Sequence, residues 1–287
     1  MKAKILFIAF FFLLIGNEVF AQSGSNPFVG SNHSYYVNST DNGVTHDGAH
    51  TDNKYYWYLT DDSDVKITTP GTIYTAGQAW GTDVAPIANL FKIDITWGTS
   101  ASGNTYHLYL EEYSGNNCIT KRKIIINVIP NDFDISIADL GASCSDASGS
   151  IIVNDDENNL GNTVKIFTID MKTQADMTAS GAFIPDWKFD YEVTVGNGSF
   201  VSVSFDDNTS DTNDGTANTG VVTVDNDDYS IQMTVTFSNV WNKADDVTVT
   251  LSKGVELTYN TPDGDPSNDE GTVTINALPN TSDIMTD

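Results

Sequence analysis

Apolar and polar residues alternate with a period of two along most of this chain. In residues 54–59, KYYWYL, the alternation puts Tyr55, Trp57 and Leu59 on one face and Tyr56 and Tyr58 on the other. Residues 91–98, FKIDITWG, gather Phe91, Ile93, Ile95 and Trp97, while Lys92, Asp94 and Thr96 face away. In 105–113, TYHLYLEEY, His107 and Tyr109 oppose Tyr106, Leu108 and Leu110. Aromatic and β-branched side chains suit such stretches because they cover a half-buried pleated surface. Beyond residue 130 the pattern predicts strands near 134–138, 150–153, 163–169, 189–195, 200–205, 220–224, 230–237, 247–251 and 272–275, separated by turns of Asp, Asn and Gly. No stretch has a helical period. The prediction is an all-β chain of two β-sandwiches, with Trp57 and Trp97 filling space between sheets. Trp187 and Trp241, near strand ends, are expected in core or interdomain packing.

Several short patterns follow one another in the first half: His33-Ser34-Tyr35, YYWYL at 55–59, KIDITWG at 92–98, YHLYLEE at 106–112, Cys118, and KIIINVIP at 123–130. In this order they resemble the PKD-like, immunoglobulin-like domains of Bacteroidota secreted proteins, over roughly residues 25–130. The segment 67–90, with Trp80 and Pro86, departs from that pattern and reads as an insertion. The resemblance implies an immunoglobulin-like sandwich in a setting of adhesins, gliding motility and type 9 secretion. The strand count of the second half suits a second sandwich of immunoglobulin-like type.

The ends and the charge refine this organisation. Residues 1–21 read as a cleaved signal peptide: Lys2 and Lys4, an apolar run at 5–15 too short to span a bilayer, and Ala21 before the cut. The expected units are a PKD-like domain at 22–130, a strongly acidic sandwich at 131–278 and a short acidic tail at 279–287. The chain carries a formal net charge of −26. Residues 22–130 hold ten Asp/Glu against six Lys/Arg, and residues 131–287 hold 28 against five. So acidic a surface repels phosphate, which argues against nucleic acid as a partner and against anionic membranes. No later stretch is long enough for a membrane span, so no membrane insertion is expected. The protein is expected to be exported to the periplasm, cell surface or exterior.

Candidate chemistry is sparse. Glu111 and Glu112 are neighbours on a strand and point to opposite faces, which does not suit a glycosidase pair. His46 and His50 lie in a Gly-bearing loop, without further His or Cys nearby. No nucleophile–base set, phosphate loop or cofactor motif is visible, so no enzyme is expected. Cys118 and Cys144, the two cysteines of an exported chain, predict a disulfide across the junction; closing 26 residues is worth about 3.5 kcal/mol. Two free thiols are the alternative. The acidic turns with Asp206, Asp207, Asp211 and Asp214, and with Asp263, Asp265 and Asp269, are candidate calcium ligands. None fits the EF-hand loop, and solvated turns are the ordinary reading. No other cofactor is expected.

These observations favour a non-catalytic cell-envelope interaction module whose partner is another envelope or surface protein, met by strand addition at a sheet edge. Lys121, Arg122 and Lys123 form the basic cluster of the strand 119–129 that closes the first sandwich, where the expected roles are pairing with the acidic second half or protecting a sheet edge. The competing readings are a carbohydrate-binding module, with Tyr56, Tyr58 and Trp80 as a stacking platform for a glycan, and a secreted structural subunit.

Overall fold

A computed structural model of the chain describes residues 24–37, 39–41, 44–46, 53–116, 118–144, 162–206, 209–211, 215–225, 228–238 and 243–277. The expected signal peptide, the acidic tail, the strand near 150–153, Trp241, His50, Asp207 and Asp214 lie outside the described residues.

The chain is all-β, as its alternation predicts. The first strands are β1 (Asn32–Tyr36), β2 (Ser39–Asp41), β3 (Val44–His46), β4 (Lys54–Asp61), β5 (Tyr74–Ala76), β6 (Ile87–Ala88), β7 (Lys92–Trp97), β8 (Thr105–Tyr113) and β9 (Ile119–Asn127). Sheet β1-β7-β5 faces sheet β6-β4-β8-β9, while β2 and β3 form a separate hairpin. Tyr55, Trp57 and Leu59 of β4 and Leu108 and Leu110 of β8 meet Tyr35, Ile93, Ile95 and Trp97 in one buried cluster. Both predicted core tryptophans sit there. Trp97 is fully buried and donates its indole N–H to Tyr35 Oη at 3.2 Å; Trp57 donates to the Leu90 carbonyl at 2.8 Å. Removing roughly 200 Å² of indole surface from water stabilises by about 5 kcal/mol, provided the N–H keeps a partner.

The second set is β10 (Asp134–Ile137), β11 (Gly141–Cys144), β12 (Asn162–Lys172), β13 (Trp187–Val195), β14 (Ser199–Phe205), β15 (Thr209–Asp211), β16 (Thr219–Val224), β17 (Ser230–Ser238), β18 (Asp245–Glu256) and β19 (Glu270–Asn276). Sheet β10-β12-β17-β14 packs on sheet β11-β19-β18-β13-β16-β15. Their facing sides bury Trp187, Phe189, Phe167, Phe237, Met233 and Val249 in a second cluster. Strands β12, β13 and β18 each run longer than the 163–169, 189–195 and 247–251 that the alternation predicts. Strand β11, with the unpatterned sequence GASC, joins β19 in parallel.

The two clusters draw on residues 35–128 and 133–275, and among the described residues no sheet mixes strands from both sides of Pro130. They meet through the turn after β18. The Asn32 N–H donates to the Tyr259 carbonyl at 2.7 Å, and Asn131 Nδ2 donates to the Pro262 carbonyl at 2.8 Å.

The predicted Cys118–Cys144 disulfide is absent: both thiols are free and exposed. The strand directions explain why. Cys118 precedes β9, whose nine residues carry the chain roughly 30 Å toward the junction. Cys144 ends β11 beside Asn276, at the end of β19 remote from the turn that touches the junction. Proximity in sequence therefore misled, because the strands between the cysteines carry them to opposite ends.

Candidate functional site

The two flanks of the first sandwich differ. On one, the segment expected as an insertion lies along the free edge of β4. Main-chain N–H groups of Trp57, Asp61 and Ile67 donate to the carbonyls of Trp80, Val65 and Leu59 at 3.1, 3.0 and 2.9 Å. The same segment supplies β5 to the opposite sheet, pairing Tyr74 with Trp97. This flank is closed.

The other flank is open. Its borders are the edge strands β1 and β9; among the described residues, the Ser25 carbonyl accepts from the Asn127 N–H at 2.8 Å at the far end of β9, and Gly24, whose carbonyl accepts from Tyr35 Oη at 3.0 Å, lines the space between the edges. Between these edges lies a groove of about 350 Å³, floored by Trp57, Leu108 and Leu110 and rimmed by Tyr35, Arg122 and Ile124. The β8–β9 register places Arg122 opposite Leu110 and Ile124 opposite Leu108, so both side chains belong to the groove face. Strand β9 is exposed at every residue but one, with Ile119 at 57% and Ile125 at 53%. An edge of unpaired main-chain groups beside apolar surface is a template for another strand.

The outer face of β4, β8 and β9 carries an aromatic ladder. Tyr56 and Tyr58 stack at 5.0 Å, as do Tyr58 and Tyr109. Lysines cover it: Lys66 over Tyr56 and Tyr58, Lys121 over Tyr58 and Tyr109, Lys123 over Tyr109, all between 4.7 and 5.6 Å from the ring centres. Acids tie the ladder's edges. Asp64 accepts from Tyr109 Oη and His107 Nδ1 at 2.6 Å each, and these bonds hold its carboxyl down at about 2. Burial pushes Glu111 up, but the bonds from Tyr113 and Lys121 prevail and hold it low. Tyr56 is only 4% exposed beneath Lys66. Trp80 stacks on Tyr74 at 4.9 Å and 10°. A cleft of about 340 Å³ nevertheless borders Tyr56, Tyr58 and Trp80 together, with Lys66 and Gln78 beside them. Of the four described tryptophans, Trp80 alone has a buried indole N–H with no partner.

The candidate calcium ligands divide. Asp206 accepts from the Gln232 N–H at 2.9 Å; Asp211 accepts from Tyr191 Oη at 3.0 Å and Gly215 N–H at 3.1 Å. These two carboxylates organise turns, and Tyr191 is pushed up by burial and then by Asp211. Asp265 caps the short turn Pro266–Asn268, accepting from Ser267 N–H at 3.1 Å and its hydroxyl at 2.6 Å. Asp263 and Asp269 come together beside Asp134 of β10. Burial raises all three carboxyls, and the charges of its neighbours add to burial in lifting Asp269 to about 7. Asp134 was missed in the sequence, because 129 residues separate it from Asp263. Among the described residues no three His, Cys, Asp or Glu side chains are grouped as a metal-ligand set, and no helix is long and apolar enough to cross a membrane.

No family model matches this chain, and no curated protein matches it. Solved structures similar to it include the C-terminal domain of the Streptococcus agalactiae AgI/II polypeptide BspA, at 6% identity and a TM-score of 0.30, covering 88% of this chain and 94% of that one. The C-terminal domain of the Streptococcus pyogenes antigen I/II-family protein AspA is similar at 8% identity and 0.30, covering 87% and 94%. The Yersinia pseudotuberculosis adhesin InvE is similar at 14% identity and 0.28, covering 89% of this chain and 57% of that one. Similarity at this level carries no residue correspondence, so the chemistry of the site rests on this chain's own side chains.

Proposed function

We propose that this chain is a non-catalytic binding protein of the cell envelope or surface, and that its β9 edge takes up an extended, acidic segment of a partner protein. The observation that carries this reading is the open flank: an unpaired edge strand, exposed isoleucines and a groove reaching core side chains. The partner's main chain would extend sheet β6-β4-β8-β9, and its apolar residues would fill the groove beside Ile124. Its acidic residues would meet Lys121, Arg122 and Lys123. Those three are the cationic cluster of a chain with 13 Lys and Arg against 39 Asp and Glu. In this reading residues 22–130 are a PKD-like domain of an exported Bacteroidota protein, in the setting of adhesion, gliding or type 9 secretion.

Photo-crosslinking in native envelopes tests it. A benzophenone residue at Ile124 should capture one protein through an extended acidic segment, and Arg122→Glu should abolish the capture without lowering Tm. Equal capture from Thr168, on the outer face of the second half, would sink the reading. Capture of another copy of this chain alone would point instead to a self-assembling structural subunit.

The cleft beside Tyr56, Tyr58 and Trp80 supports glycan binding as a second reading, because the unpaired Trp80 indole N–H borders it. A sugar would have to displace Lys66 from the tyrosine faces. Glycan arrays with wild type and Trp80→Ala separate the two: retention lost in the variant favours the sugar, and blank arrays remove it.

A further inference from the structure

The cleft beside Tyr56, Tyr58 and Trp80 is built from main chain that is already tied down. Lys66 bridges Thr60 of β4 in antiparallel pairing, and the next residue, Ile67, donates its N–H to the Leu59 carbonyl at 2.9 Å. The Trp80 carbonyl accepts from the Trp57 N–H at 3.1 Å, and Tyr74 pairs with Trp97 between β5 and β7. Two aromatic pairs border the cleft: Tyr56 with Tyr58, ring centres 5.0 Å apart, and Tyr74 with Trp80, 4.9 Å apart. Gln78 joins the lining; its Nε2 donates to the Lys92 carbonyl at 2.7 Å, which leaves Oε1 to accept from a ligand hydroxyl.

The charge in this cleft has one sign. No carboxylate is among its described lining residues, in a chain with 39 Asp and Glu. Its cation is Lys66, which is exposed and pairs with no carboxylate among the described residues. The ammonium rests instead on the Tyr56 hydroxyl and over the rings of Tyr56 and Tyr58, at 4.8 and 5.4 Å from their centres. The other lysines of the ladder differ: Lys121 meets Glu111 at 3.4 Å, and Lys123 meets Asp64 at 3.6 Å. The lining also holds an indole N–H, that of Trp80, with no acceptor. Both features call for an acceptor, and the ammonium calls for a charged one.

We infer that the cleft bordered by Tyr56, Tyr58 and Trp80 binds an acidic sugar, with Lys66 as the residue that meets its carboxylate or sulfate. This rests on the glycan reading above and narrows it to one class of ligand.

The obstacle to a neutral sugar is what selects an acidic one. A neutral ring must push Lys66 off the tyrosine faces and offers the ammonium only hydroxyls in exchange. An acidic ring offers it a charged acceptor. Cation–π contacts at exposed sites are weak, whereas a hydrogen bond between ionised groups is roughly twice as strong as one between neutral groups. Lys66 therefore gains by leaving the rings, and the tyrosine surface it uncovers is free to meet the apolar face of the sugar. The main chain on either side of the cleft is bonded in place, so the movement is confined to the lysine side chain. An acidic peptide shares the charge but lacks the flat face that paired rings accommodate.

The test uses the purified full chain at low salt and four probes. Oligogalacturonate is the uronic sugar, and its methyl ester is the same ring without charge. A sulfated galactan oligosaccharide carries the other acid, and oligoglutamate carries charge without a ring. Calorimetric titration should show an acidic sugar binding at least about tenfold more tightly than the ester or oligoglutamate. The tighter of the uronic and sulfated probes identifies the source of the charge. Lys66→Gln should bring the acidic sugar down to the level of the ester. Lys253→Gln, which removes an exposed lysine paired with Asp190 in the second half, should leave the preference intact. Equal binding of acid and ester overturns the inference and leaves the glycan reading standing; binding of no sugar removes both. A preference that survives Lys66→Gln, or oligoglutamate bound as tightly as the acidic sugar, also overturns the inference.

Discussion

His33 and Tyr259 stack across the two halves of the chain, with ring centres 4.2 Å apart and planes 19° from parallel. His33 lies on β1, and Tyr259 lies in the turn after β18. The neighbouring Asn32 N–H donates to the Tyr259 carbonyl, so ring and main chain hold the same contact. The stack is buried: His33 is almost fully covered, and desolvation holds its imidazole down at about 4.

This contact gives stability a pH dependence with a definite sign. The unfolded imidazole titrates near 6.5, the folded one near 4, so between these values the unfolded chain binds more protons. Stability contributed by neutral His33 is therefore full above about pH 6.5 and is lost as pH falls toward 4, by about 3 kcal/mol in all. Asp269, raised to about 7 by burial and the charges of neighbouring carboxylates, titrates with the opposite sign over an overlapping window. The expected outcome is thus a difference. Melting curves of wild type and His33→Gln should converge as pH drops from 7 to 4, and parallel curves would refute the assignment.

Glu256 shapes the turn that presents Tyr259. Its carboxylate is fully buried and accepts from the N–H groups of Thr258, Tyr259 and Thr261 at 2.8–3.0 Å, and from the Thr261 hydroxyl at 2.6 Å. Glu256→Ala strands those donors and should cost about 3 kcal/mol or more. Glu256→Gln keeps one acceptor oxygen and should cost less. Tm orders the three proteins. A nuclear Overhauser contact between His33 and Tyr259 should vanish in the alanine variant ahead of global unfolding.

The free thiols make a direct prediction. Native protein should react with two equivalents of Ellman's reagent, since Cys118 and Cys144 are both exposed and unpaired. Dithiothreitol should leave Tm unchanged. A reductant-sensitive Tm, or fewer than two reactive thiols, would restore the cross-link.

What the sequence made legible follows from local physics. The faces of β4, β7 and β8 were readable because period-two alternation is a local property, and Tyr55, Trp57 and Leu59 occupy the buried side accordingly. The closure of one flank was not readable, because residues 62–81 cover the β4 edge with main-chain hydrogen bonds that any side chains can make. The open flank left a partial trace: Ile124 and Ile125 in succession show a strand with apolar residues on both faces, without telling which edge it forms. Acidic turns look alike in sequence. Asp206 and Asp211 bond to their surroundings, whereas Asp263 and Asp269 acquire their shared environment only when β10 brings Asp134 alongside.

Gly98, directly after the core residue Trp97, shows how the closed flank is held. Its N–H donates to the Ile73 carbonyl at 2.7 Å, and a Cβ built there would stand 2.1 Å from the Thr72 carbonyl oxygen. The obstacle is main chain, and it cannot rotate aside as a flexible side chain could. The Gly98→Ala chain must push the 70–74 segment outward, and Tyr74, which stacks on Trp80, lies on that segment. The expected loss is about 2–3 kcal/mol, as for overpacking, with protease cleavage appearing within 62–90. Gly103 is the control: its φ of +72° is left-handed, but a Cβ there meets nothing within 4 Å. Gly103→Ala should therefore cost only the left-handed strain, about 1 kcal/mol, and leave 62–90 resistant. Equal destabilisation of both variants, with no new cleavage in Gly98→Ala, would show that the Gly98–Thr72 approach does not hold this flank shut.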